Sequence, residues 1–203
     1  MEPGTEGAEA PVNARQLDTP AATALADLAS IFEELSMVLG CCEQLMMEIN
    51  KGEEASSQVI EGLWTTTLLC YGRCFAPNDR GMGLTEADLS ETGIEGEVVE
   101  WHKMLTKMRK HFASPKENPR ERFTVGITQN TDGTPSGVAV MSTTTPTLDE
   151  VTVRQTGSIA YALSQLVNQR IKDQQEAVLN SAQKMRVEDL NALQAVELTT
   201  SDG

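Results

Sequence analysis

The chain has 203 residues, enough for one full hydrophobic core and short for two ordinary domains. Its formal net charge of −14 excludes a surface that binds nucleic acid or anionic membrane as a whole, because both need positive potential. No run of about 18 apolar residues occurs, and the opening "MEPGTEGAEAPVNARQ" has neither the basic start nor the apolar stretch of a secretory signal, so a cytoplasmic protein without membrane contact is expected.

Residues 1–18 are rich in Gly, Glu, Ala and Pro and hold almost no large apolar side chains, which predicts a disordered acidic tail. Thr19 then suits a helix cap and Pro20 a first turn, and Leu25, Leu28, Phe32, Leu35, Leu39, Cys42, Met46 and Ile49 recur at spacings of three and four. A long amphipathic helix is expected there. "NKGEE" interrupts it, and a second helix over about 54–75 carries Val59, Leu63, Leu68, Cys70, Tyr71 and Cys74; so short a connection makes the two antiparallel neighbours. "APNDRGMGL" is a loop, and residues 85–91 suit one or two helical turns.

The best-patterned helix follows. Ile94, Val98, Trp101, Leu105, Met108 and Phe112 step by four, three, four, three and four, a stripe that must face a core or a partner. Glu95, Glu97 and Glu100 read as its acidic first turns, and Lys107, Arg109, Lys110 and His111 as cations at its carboxyl end. Pro115 and Pro119 stop it. The period then changes to two: Phe123, Val125 and Ile127 alternate with Thr124, Gly126 and Thr128, "NTDGTPSG" supplies the turn, and Val138 and Val140 lead a second alternating run. A β-hairpin over about 122–144 is expected. A last long helix is expected from near Thr156 or Ser158, through Ile159, Leu163, Leu166, Val167, Ile171 and Val178, to about 182–185, with "VEDLNALQAVEL" as a short helical coda and a frayed end at 199–203. The fold class is therefore mainly α: an irregular bundle of about four principal helices with an inserted hairpin, forming one domain over 19–198.

Charge is distributed unevenly. Between 101 and 122, Lys103, Lys107, Arg109, Lys110, Lys116, Arg120 and Arg122 stand against Glu117 and Glu121, a local net of +5 that leaves about −19 for the rest of the chain. Such asymmetry suits phosphate, and so RNA, or an acidic protein surface that includes a second copy of the chain. The protein contact is favoured, because no aromatic platform interleaves the cations. Trp101, Lys107 and Lys110 are the expected partner-binding residues, and a long two-sided first helix with Met37, Met46 and Met47 near its stripe adds to the expectation of a homo-oligomer. Cys41, Cys42, Cys70 and Cys74 lie in helical segments and read as buried thiols; Cys41 and Cys42 diverge by about 100° around a helix and cannot join one tetrahedral site, so no metal or other cofactor is expected.

The segments "YGRCF" at 71–75 and "HKMLTKMRKHFASP" at 102–115, the hairpin after them, and the last helix ending in "VLNSAQKMRVEDLNAL" resemble a bacterial family whose helical core is similar to the HEPN superfamily, over about 20–193. In catalytic members of that superfamily an Arg followed four to six residues later by a His forms part of a metal-independent ribonuclease site, usually assembled across a dimer. Here the histidines are His102 and His111 alone, Arg109 lies too close before His111, and Ser114 stands where a second His is often found. The resemblance thus implies a degenerate or absent site, and a non-catalytic, self-associating interaction module. Its alternative is a metal-independent ribonuclease in which Arg109 stabilises phosphoryl charge and His102 and His111 move protons. His102 and Arg109, seven residues apart, share one flank of the helix about 10 Å apart along its axis.

Overall fold

A computed structural model describes residues 14–75, 81–116, 118–144 and 148–196. It is mainly helical, with four helices of substantial length and a hairpin between the third and the last. Helix α1, Pro20–Ile49, starts where Thr19 accepts a hydrogen bond from the Ala22 amide at 3.2 Å, with Pro20 in the first turn. Its buried line is Leu28, Ile31, Leu35, Val38, Cys42 and Leu45. Leu28, Leu35 and Cys42 are positions that spacing singled out, whereas Phe32, Leu39, Met46 and Ile49 are only partly buried on the flank of the line.

α1 is the central element, packed along α2, Ser57–Cys74, and α5, Glu150–Ala182. The turn from α1 to α2 is held by Glu48, whose carboxylate accepts from the Ser56 amide at 2.7 Å and from the Lys51 ammonium. These two bonds, Lys51 first, keep the buried Glu48 carboxyl below the ordinary range. α5 begins six residues earlier than Thr156: Asp149 caps the Thr152 amide at 2.8 Å, and the β-branched Val151, Thr152 and Val153 had masked a helical start.

α3, Glu86–Glu91, opens on a capping box between Thr85 and Asp88, and Arg170 of α5 reaches across to Asp88 and to Glu91. α4, Val98–Phe112, packs on α2 and α3. It does not extend back to Ile94. Gly93 (φ +68°) and Gly96 (φ +102°) hold left-handed backbone, so Ile94 packs on the core from a loop and only Glu100 of the three glutamates stands in the first turn.

Strands β2, Glu121–Gln129, and β3, Pro135–Thr144, form an antiparallel ribbon in which Val125 opposes Val140 and Ile127 opposes Val138. The reversal uses Gly133 at φ +85°, whose amide donates to the Asn130 carbonyl at 2.9 Å, while Asp132 accepts from the Thr134 amide and hydroxyl. After α6, Val187–Ala192, a two-residue strand β4, Ala195–Val196, pairs with β1, Ala14–Arg15. Within the segment expected to be a tail, then, Ala14 and Arg15 are paired, and Arg15 also donates to the Leu193 carbonyl at 3.0 Å. Residues 1–13 and 199–203, where a tail and fraying were expected, lie outside the described residues. Among the described residues no helix is long and apolar enough to cross a membrane.

Candidate functional site

His102, which the helical spacing sets on one flank with Arg109, is buried on the inner side of α4. Its Nδ1 lies 3.0 Å from the Tyr71 hydroxyl, and its ring centroid is 4.3 Å from that of Phe75. Both partners belong to the "YGRCF" segment at the end of α2. Burial pushes the Tyr71 phenol far above its ordinary pKa, so the phenol keeps its proton in its bond with the imidazole. Burial also lowers the His102 pKa, against the attraction of Glu86 and with the repulsion of Lys103. At neutral pH this is an uncharged core histidine.

Arg109 is laid across α2. A methyl built on Gly72 would meet Arg109 Cδ at 2.3 Å and Nη1 at 2.8 Å, so the bare backbone of Gly72 is what lets the arginine stem cross. His111 is half-buried at the end of α4, with its ring edge-on to Phe112 at 6.3 Å. His102 and Arg109 thus engage adjacent residues of α2, Tyr71 and Gly72, through separate contacts.

On the outer side of α4, Lys103, Lys107 and Lys110 line an open groove of about 250 Å³ with Glu86, Thr106 and the edge of His102. Lys107 and Lys110 are exposed; Lys103 is paired with Glu100 at 2.8 Å. Trp101 is half-buried and donates from Nε1 to the Thr156 hydroxyl at 3.3 Å, tying α4 to α5. Its ring also lines a second groove, about 590 Å³, together with Ile94, Met104 and Ile159 and the charged Glu95, Glu97, Glu100 and Arg154.

The most exposed apolar surface lies elsewhere. Residues directly opposite in an antiparallel pair share a face, so Phe123, Val125, Ile127, Val138 and Val140 all point to one side of the hairpin. They are 56%, 67%, 61%, 68% and 66% exposed. The strands pack chiefly on each other, and the arm is moored at its base, where Arg120 donates to both oxygens of Glu61 on α2 at 2.6 and 2.7 Å. Alternation revealed the ribbon but could not reveal that its apolar face is uncovered, which depends on where the bundle ends.

The four cysteines are buried, and burial raises the thiol pKa of Cys42 to about 12 and of Cys70 to about 11, with Cys41 shifted the same way. Among the described residues no cluster of His, Cys, Asp and Glu has the arrangement of a metal site. No family model, no curated protein and no solved structure matches the chain.

Proposed function

We propose that the protein is a non-catalytic helical interaction module, with the HEPN-like core its signatures suggest, that holds a partner protein through the hairpin. One observation carries this reading: five large apolar side chains stand exposed on one face of an arm whose strands pack chiefly on each other. Isolated exposed apolar residues are ordinary, whereas a contiguous apolar face marks a contact surface. The fate of the nuclease candidates supports the same reading. His102 is occupied by Tyr71 and its charged form is disfavoured, and Arg109 is spread over Gly72, so neither is presented as a proton shuttle or a phosphate clamp.

The experiment is a metal-free cleavage assay with several RNAs, a chelator and a mock purification. Intact RNA is the expected result. Cleavage that is abolished by His102→Gln or Arg109→Ala while the circular dichroism spectrum is unchanged would overturn the module reading and restore the ribonuclease. A second reading, RNA held without being cut, is supported by the three lysines lining one groove of α4; it predicts binding that Lys107→Ala with Lys110→Ala weakens and that salt screens.

A further inference from the structure

We propose that the partner of the hairpin is a second copy of this chain, the two ribbons meeting through their Phe123, Val125, Ile127, Val138 and Val140 faces about a two-fold axis. This rests on the module reading and names its partner.

Charge favours the hairpin over the acidic parts of the surface. Two copies that each carry −14 repel one another wherever their acidic surfaces approach. Between 118 and 144, however, Arg120 and Arg122 offset Glu121 and Asp132, so the arm is neutral while the bundle carries the excess. The other concavity, beside Trp101, is lined by Glu95, Glu97 and Glu100 against Arg154, a net negative surface that disfavours an acidic copy. The five apolar side chains on the hairpin face offer no charge to a charged partner, and an apolar face against its own symmetry mate is self-complementary, as a two-fold contact requires.

Area sets the strength. A nine-residue ribbon face measures roughly 30 Å by 10 Å. At the observed exposures its apolar side chains present on the order of 500 Å² per copy, against the roughly 800 Å² per partner of a standard stable interface. A contact of that size falls at the small end of protein interfaces and suits a weak, reversible association. A two-stranded ribbon is marginal alone in water, and stacking on a second ribbon covers the side that the bundle leaves open.

The test is sedimentation of the full chain from low micromolar to roughly 200 micromolar concentration, joined to cysteine cross-linking. The wild type is expected to pass from 22.0 kDa to twice that mass, and Val125→Asp to weaken the association at least tenfold. Should Val125→Asp disturb the helical spectrum, Val125→Thr, which keeps the branched strand-forming shape, decides instead. The native thiols are buried and silent, so Val125→Cys should cross-link two copies under mild oxidation, while Thr124→Cys, on the opposite face, should not. A wild type that stays at 22.0 kDa throughout, a variant that associates undiminished, equal cross-linking from both faces, or a monomer that binds zwitterionic vesicles through the hairpin would each overturn the proposal. A monomer that leaves RNA intact removes only the second copy; RNA cleavage removes the module reading whatever the oligomeric state.

Discussion

The Tyr71 hydroxyl and His102 Nδ1, on two helices and 31 residues apart in the chain, are joined by a buried hydrogen bond of 3.0 Å. The bond joins α2 to α4, and the burial that comes with it disfavours the charged form of the histidine. Because burial lowers the His102 pKa in the folded state, the unfolded chain takes up a proton that the folded one refuses once the pH falls below the ordinary value of 6.5. The stability contributed is complete above that value and is lost as the pH falls toward the folded pKa. Denaturant midpoints of the wild type should therefore decline between about pH 7 and pH 5, and those of His102→Gln should decline less, from a neutral-pH value lowered by about 1–3 kcal/mol because Tyr71 loses its partner. Parallel curves would show that His102 titrates as an exposed residue.

Gly72 and Arg109 should behave as a coupled pair. In the wild type, Gly72→Ala forces the arginine stem aside, offsetting the helix propensity that alanine brings. With Arg109→Ala already made, the same change meets no obstacle and should stabilise by up to about 1 kcal/mol. A double-mutant cycle by urea unfolding measures the difference, and additive effects would mean that the arginine does not hold this position in solution.

What was legible before the fold is instructive in this region. Thr19 with Pro20, the period of α4 and the alternation of the hairpin are local signals, and each marks an element, although α4 starts at Val98 rather than at Ile94. The burial of His102 was not legible, because the helix face it occupies is decided by Tyr71 and Phe75, residues of another element with no fixed sequence offset. The start of α5 was obscured by a β-branched run that reads as extended until Asp149 caps it. The uncovered face of the hairpin depends on what the bundle fails to reach, and an apolar alternation looks the same whether or not something covers it.

The Asp88–Arg170 pair should hold α3 to α5. Burial alone would raise the Asp88 pKa, but the hydrogen bonds from Arg170 and from the Thr85 amide and hydroxyl outweigh it and leave the carboxyl below its ordinary 3.8. That contribution is present above 3.8 and is lost as the pH falls through the folded pKa. Asp88→Asn should cost about 1–2 kcal/mol at neutral pH, the pair being partly solvated, and should flatten the acid limb of the stability curve below about pH 4. An unchanged acid limb would assign the loss to other carboxylates.

The thiols give a direct check on the core. With burial raising the pKa of Cys42 to about 12 and of Cys70 to about 11, a thiol reagent at about pH 8 should find no reactive cysteine in the native protein and all four after denaturation. Rapid labelling of Cys41 or Cys70 without denaturant would mean that α1 and α2 part readily.

The central claim is that the hairpin, and not the outer face of α4, meets the partner copy. Methyl carbon–proton spectra recorded on the wild type across a dilution series test it most directly. The methyl signals of Val125, Ile127, Val138 and Val140 should move with concentration along one binding curve, while those of the core residues Leu105 and Leu163 and of Met104 on α4 stay fixed. Signals that move at Met104 while the four hairpin residues remain still would contradict it and return the contact to the Trp101 face.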